Sequence, residues 1–451
     1  MEETIVRIQK MEEIFDLLSA AQPGDGAYRH LLAELTAYYE GPLWRKDYEA
    51  DEAGLLPKNM KRGVLSQDGV YDLLSLWDAE DGRKTTMRWS KEKIWKWYND
   101  RPWMRGCNYM SADCANRIDQ WQELGFEERF QTTEEELKLM QKTGFNVIRI
   151  ILEYVVWKEE HDGFMERFDR YLSLCAKYGI SCMVVLANDC MPPKNEHWKK
   201  PSLGPQTYDW GYHGGKKNAQ HSAFSDVAAH YYLDEPESRE DYFRMVREIV
   251  TEYREDSRIC IWDVYNEPGF KRRDALTLPN LKRIFEIVRE IDPIQPLTAC
   301  VHTIKGDRSI PLLKCEEFAL QNSDIISYHC YKPYNEHIKI LKRLKEEGRP
   351  IMNSEWLGRV FGNDVFSLFP LFYLEDVACI NWGFVAGLYQ TYEPWEGTWA
   401  RYESGKNTNV DFTKWFHDLY RPNHRPYDPR EIALIREFCD RADTEFREKQ
   451  G

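Results

Sequence analysis

From Trp103 onward, short apolar runs alternate with amphipathic stretches of helical spacing, a pattern that predicts strand and helix in turn. Eight such runs can be counted, at 103–109, 146–153, 181–189, 259–267, 296–302, 325–331, 350–356 and 379–385. Eight β/α units over roughly 280 to 320 residues predict an α/β fold of the TIM (β/α)8 type, since a doubly wound sheet does not usually need so many. Asp428-Pro429-Arg430-Glu431 places a cap, a proline at the first helical position and a glutamate at the third, which announces a final helix. The longest gap, from Cys190 to about Ser238, follows strand 3 and carries Trp198, Tyr208, Trp210, Tyr212 and His213. An elaborated loop over one end of the barrel is expected there.

The first 90 residues read differently. Ile5, Ile8, Phe15 and Leu18, then Leu31, Leu32, Leu35 and Tyr39, recur at helical spacing on either side of Pro23-Gly24-Asp25-Gly26, which predicts a helical hairpin. A third helix is expected from Ser66, with Val70, Leu73, Leu74 and Trp77 on one face. The chain therefore divides into a small α-helical domain at 1–90 and a barrel domain at 91–451. The helical domain holds no catalytic cluster and reads as a packing or oligomerisation unit, a possible route to a homo-oligomer.

Composition narrows the partners. With 61 basic against 75 acidic residues the net charge is -14, the wrong sign for neutralising phosphates, so neither nucleic acid nor an anionic membrane is expected as a partner. No basic leader followed by an apolar run opens the sequence, and no stretch reaches the roughly 18 to 20 apolar residues of a membrane span. The eleven cysteines are odd in number and several fall inside apparent core strands, which predicts reduced thiols in a cytoplasmic protein. Closely spaced Cys or His pairs are missing, so no metal and no cofactor is expected.

In a barrel of this kind chemistry collects at the strand ends, and here those ends are rich in polar groups. Strand 4 finishes Trp262-Asp263-Val264-Tyr265-Asn266-Glu267-Pro268, and strand 7 finishes Asn353-Ser354-Glu355-Trp356. Two carboxylates on different strands suit glycoside hydrolysis by a general acid and a nucleophile. Period-two alternation puts Arg149 on the face of Glu153, Asp263 on that of Glu267, Ser327 with His329 and Tyr331, and Asn353 with Glu355. Arg149 among carboxylates is expected to lower the Glu355 pKa, with Glu267 raised, although Arg149 and Asp263 could also be only a buried ion pair in the barrel floor.

With Asn266-Glu267-Pro268 on strand 4 and Glu355 on strand 7, the sequence resembles the retaining glycoside hydrolases of clan A, and family 5 most closely. The resemblance covers about residues 103 to 427. It implies an acid/base role for Glu267 and a nucleophilic role for Glu355, with Arg149 matching the family's strand 2 arginine. By the same resemblance His329 and Tyr331 match its strand 6 pair, Tyr331 hydrogen-bonds the nucleophile, and Trp382 floors the subsite of the cleaved sugar. The family's histidine at the end of strand 3 is replaced by Leu186-Ala187-Asn188-Asp189-Cys190. The segments Lys46 to Glu52 and Lys61 to Ser66 resemble a small bacterial domain of uncharacterised function, which implies a boundary and no activity.

Further substrate contacts are expected from Asn108, Asp189, Asn266 and Trp395, the last in a loop, Tyr389-Gln390-Thr391-Tyr392-Glu393-Pro394-Trp395, that offers rings for sugar faces and polar groups for hydroxyls. Double displacement requires the two carboxyl groups about 5 to 5.5 Å apart, against about 6.5 to 9.5 Å for inversion. The expected substrate is a carbohydrate, either an imported oligosaccharide or a small β-glycoside cleaved from its end. Two alternatives stand beside this: an endo-acting β-glucanase, xylanase or mannanase with an open groove, and a noncatalytic carbohydrate-binding barrel.

Overall fold

The computed structural model describes the chain except residues 1, 24, 40, 67–68, 71–72, 75, 78–87, 191–200, 207–212, 214–230 and 451. Trp198, Tyr208, Trp210 and Tyr212 therefore lie outside the described residues. Two compact units are formed, Met1–Met87 and Arg88–Gly451.

In the first unit, helices Glu2–Ala20 and Arg29–Tyr39 form the expected hairpin, and Val70, Leu73, Leu74 and Trp77 bury against the same core as Ile8, Ile14 and Leu35. Helix Pro42–Glu52 was not expected, because its sequence is too polar to show a stripe. It is held by a charge instead. Asp47 is fully buried and accepts hydrogen bonds from Arg7 Nε at 2.8 Å and Tyr38 Oη at 2.9 Å, so its ion pair is desolvated and fully partnered.

The second unit is a TIM barrel. Its strands are β1 (Arg105–Asn108), β2 (Val147–Ile151), β3 (Ser181–Val185), β4 (Ile259–Tyr265), β5 (Leu297–Ala299), β6 (Ile326–His329), β7 (Ile351–Trp356) and β8 (Val377–Trp382). All are parallel and run in the order β5-β4-β3-β2-β1-β8-β7-β6. Each expected run contains or overlaps one of them. The last strand starts and stops earlier than expected, because Gly383 leaves the extended conformation at φ 78°.

Between β5 and β6 the ladder is reduced to a single bridge, Val301 with Tyr328. Val301 N donates to Ser327 O at 3.1 Å and His329 N to Val301 O at 3.0 Å, and these bonds close the ring. At the other end of the barrel, Ile94, Trp97 and Tyr98 of helix Lys91–Asn99 bury against Met104, Val147, Met183, Ile325 and Met352 at or near the strand starts. That plug leaves the C-terminal mouth as the open end. The helix starts where Ser90 caps it, accepting from Lys93 N at 3.1 Å.

Outside the strands, helices from Phe126–Thr143 to Pro429–Gln450 bury a continuous apolar layer, and the final helix begins where the Asp-Pro-Arg-Glu signal put it. The two layers meet so closely at β1 and β2 that a Cβ on Gly106 would lie 1.6 Å from the Val147 carbonyl oxygen. The obstacle is backbone, which cannot swing aside. Gly106→Ala is expected to destabilise the protein by about 3 kcal/mol or more, read as a lowered urea midpoint, and an unchanged midpoint would show that β1 can move away from β2.

Candidate active site

The site is built around one guanidinium. Arg149 on β2 is 1% exposed and cannot lose its proton, so its charge has to be met by neighbours. Its Nε donates to Asp263 Oδ2 at 2.8 Å, Nη1 to Asn108 Oδ1 at 2.8 Å and to Glu355 Oε1 at 3.0 Å, and Nη2 to Asn266 Oδ1 at 2.6 Å. Burial works against the charge, yet Asp263 and Glu355 more than offset it and raise the Arg149 pKa. The expected ion pair with Asp263 is present, and the same side chain reaches Glu355.

Glu355 is fixed from both sides, since its other oxygen accepts from Tyr331 Oη at 2.9 Å. The β6–β7 register shifts so that Tyr328 faces Asn353 while His329 faces Glu355, an extra residue that re-aims the strand end where the carboxylate sits. His329 Nδ1 lies 2.8 Å from Glu267 Oε1 and 3.4 Å from Glu355 Oε2. One imidazole thus touches both carboxylates.

Glu267 follows β4 at φ 45°, a left-handed conformation that costs a residue with a Cβ about 1–3 kcal/mol unless the surroundings impose it. They do. The Glu267 N–H donates to Cys300 Sγ at 3.1 Å, and Gly269 N donates to Asp189 Oδ2 at 2.8 Å. The Cys190 thiol lies 2.7 Å from Glu267 Oε2.

Oxygen atoms of Glu267 and Glu355 and a ring nitrogen of His329 all lie within 4.8 Å of one another. Such a trio could ligate a cation, but Arg149 already supplies positive charge at 3.0 Å from Glu355. The arrangement can therefore hold one proton between two carboxylates beside a third, titratable ring.

The order of the two acids differs from the expectation. Burial pushes the Glu267 carboxyl up, but His302, then His329 and Cys190, more than offset it and hold it down at about 2. Glu355 is raised by burial and by the Glu267 charge, against the pull of His329 and Arg149. The two directions give Glu355 the greater proton affinity of the pair. For the charge balance the sequence reading weighed Arg149 alone; it named His329 as a site residue without this effect and did not anticipate His302 or the Cys190 thiol beside Glu267.

Asn266, Glu267, His329, Tyr331, Glu355, Trp382 and Trp395 all line one cavity of about 1400 Å³. Trp395 packs edge-on against Tyr331 and Phe416, with ring centroids 5.0 and 4.7 Å apart. Trp382 hydrogen-bonds His213 of the insertion after β3, and the two rings stack at 5.2 Å.

One expected substrate contact is corrected, and another, Asn108, lines a smaller cavity with Arg149, Trp382 and Tyr389. Asp189 is fully buried and accepts from Tyr265 Oη at 2.9 Å and Thr277 Oγ1 at 2.5 Å besides Gly269, so it anchors the turn carrying Glu267 and does not line the cavity. Alternation explains the error: Asn188 is the inward residue, its Oδ1 accepting from Asn266 Nδ2 at 2.7 Å, and Asp189 faces outward. Asn108 points inward but lies beneath the site, where its amide donates to Ser354 O at 2.8 Å and accepts from Arg149. Cys190, Cys300 and His302 were not anticipated as site residues, because no local pattern marks a residue that only a neighbouring strand end brings close.

The family model of cellulase (glycosyl hydrolase family 5) matches residues 112–364, more than half of the chain. The chain belongs to glycosyl hydrolase family 5. This family 5 glycosidase also carries, at residues 6–77, a match to a domain of unknown function, DUF4298. No curated protein matches the chain. Among solved structures it is similar to an endo-β-1,4-mannanase from Thermotoga petrophila, at 16% identity over 77% of this chain and 78% of that one, with a TM-score of 0.45. It is also similar to an exo-β-1,4-mannosidase from Opitutaceae bacterium strain TAV5, at 14% identity over 75% and 60% of the two chains and a TM-score of 0.47. No described helix is long and apolar enough to cross a membrane.

Removing the guanidinium strands buried Asp263. Arg149→Met is expected to lose about 3–5 kcal/mol of stability by denaturant unfolding, whereas the double variant Arg149→Met with Asp263→Asn regains part of it. If the single and double variants are equally stable, Asp263 is not held by this pair.

Proposed function

We propose that the protein is a retaining β-glycoside hydrolase that removes sugars from the end of imported oligosaccharides or small β-glycosides. The carrying observation is the separation of the two carboxylates, whose oxygens approach within 4.8 Å. That spacing suits direct attack at the anomeric carbon and leaves no room for the water that inversion places between acid and base.

In the first step Glu355 attacks the anomeric carbon and Glu267 gives its proton to the departing glycosidic oxygen. In the second, Glu267 as base takes a proton from water, which displaces Glu355 and restores the starting configuration. Before the first step the proton must stand on Glu267, and His329, within reach of both oxygens, is the group placed to carry it across. Arg149 and Tyr331 then stabilise Glu355 as the ionised nucleophile. Trp382 offers a face to the sugar being transferred and Trp395 an apolar edge to the cavity, while Asn266 stands where the sugar 2-hydroxyl is expected.

Support for the exo mode comes from His213. His213 follows β3 in the chain and packs on Trp382 and Tyr389 of the β8 side, so this one residue covers part of the mouth. The cavity exceeds the roughly 300 to 1,000 Å³ of ordinary small-ligand pockets, which favours a substrate of more than one sugar. Eleven cysteines, ten of them buried and none in a disulfide, fit a reduced intracellular setting to which only imported fragments have access.

Hydrolysis of nitrophenyl β-glycosides followed by proton NMR is expected to release the β anomer first. Glu355→Gln is expected to abolish turnover, and Glu267→Ala to lower it by about 10²–10⁴-fold, with azide restoring part of the latter as a β-glycosyl azide. Release of the α anomer would overturn double displacement.

The pH profile tests the charge balance. His302 favours the ionised form of Glu267, so His302→Asn is expected to move the limb of the kcat/KM profile set by Glu267 to higher pH. Movement to lower pH would contradict the assigned role of His302.

A further inference from the structure

The cavity has the opposite charge from the chain. Apart from Glu267 and Glu355, its described lining carries eight Lys or Arg residues and two acidic ones, Glu336 and Asp411, on a protein of net charge -14. Arg359 is spent on Glu431, at 2.6 Å, and Lys414 lies 3.9 Å from Asp411. Of the six that remain, Arg117 and Arg401 lie elsewhere in the sequence and the other four follow three successive strands. Lys271 and Arg272 follow β4, Lys305 follows β5 and Lys332 follows β6.

Three of these, Arg272, Lys305 and Lys332, make no ion pair among the described residues, although the chain offers an excess of carboxylates to satisfy them. Backbone conformation adds a second observation. Lys271 and Arg272 both have positive φ, 51° and 66°, in the five residues after Glu267. Neither is glycine, so the turn that sets Glu267 also fixes two cations at the cavity wall in a conformation with its own strain.

The chemistry of the site says which part of a substrate meets them. Glu267 protonates the leaving oxygen, so the leaving group lies on the Glu267 side, beside the loops of β4 to β6. A concave wall that presents Arg272, Lys305 and Lys332 attracts an anion there and draws it in from solution.

We propose that the natural substrate carries its negative charge, a carboxylate or a phosphate, on the leaving-group side of the scissile bond, where Arg272, Lys305 and Lys332 receive it. This rests on the assignment of Glu267 as the acid. It restricts the substrate class to acidic oligosaccharides or sugar conjugates, and neutral β-glucan or mannan fragments become poor substrates.

The test separates this proposal from the proposed reaction by reading binding as well as turnover. Cellobiose, cellobionate and cellobiose 1-phosphate share a non-reducing glucose and differ in the charge of the leaving group; mannobiose and mannobionate repeat the comparison with the other sugar. Their affinities for the full-length Glu355→Gln protein are measured by calorimetry, and their hydrolysis by the wild type. At least one acidic member is expected to bind about tenfold or more tightly than its neutral partner at low salt, the carboxylate and phosphate arms saying which anion is preferred.

That advantage is expected to shrink toward unity at high salt, where the Debye length falls to about 3 Å at 1 M, and in Arg272→Gln/Lys305→Gln/Lys332→Gln. All three side chains are exposed, so the variant keeps its melting temperature. Equal binding of acidic and neutral partners, or a preference that survives the triple substitution, overturns the proposal even if every disaccharide is cleaved. Preferential binding of the acids without any hydrolysis removes the glycosidase mechanism and with it the leaving-group assignment, and so overturns the proposal as stated, while loss of that preference in the triple variant would still locate the anion at the three cations.

Discussion

The site depends on a single buried cation. Arg149 stands 1% exposed in the barrel interior, and four side chains from three other strands, Asn108 of β1, Asp263 and Asn266 of β4 and its end, and Glu355 of β7, converge on its three nitrogens. A buried guanidinium demands partners at hydrogen-bond distance, and that demand fixes where β1, β4 and β7 must end relative to β2. Positioning and electrostatics are therefore the same fact here. The group that holds Glu355 in place is also one that favours its charge.

The opposite carboxylate is held differently. Glu267 has no strong cation bonded to it; it is carried on a turn of strained backbone whose geometry is imposed by Asp189, Cys300 and the neighbouring Gly269. Its proton affinity is set by His302, His329 and the Cys190 thiol, none of which is a guanidinium. One acid is thus tied to a guanidinium and the other is not. That division suits a residue which must first give a proton and then take one back.

The barrel was legible because its signal is repeated: eight apolar runs, each followed by a helical stretch, leave little freedom of interpretation. Glu267 and Glu355 were legible because each sits at the end of a recognisable run. What escaped was everything that depends on which face of an irregular strand end points inward. Asp189 and Asn188 are neighbours in sequence, and a one-residue difference in alternation separates an outer anchor from an inner ligand of Asn266. Helix Pro42–Glu52 escaped for another reason, since its place depends on a desolvated aspartate, which no hydrophobic pattern displays.

The seam between β5 and β6 gives the barrel a mechanical character. Seven junctions are full ladders, and the eighth is one bridge with Thr298 Oγ1 bonded to Ser327 Oγ at 2.7 Å nearby. Glu267 stands on one side of that junction and His329 on the other, joined across it at 2.8 Å. The ring is closed most weakly at this split, and the contact between Glu267 and His329 spans it from the end of β4 to the end of β6. Widening of the split lengthens the proton path before it disturbs any helix, so the chemistry is the first property of the barrel to register strain in its wall.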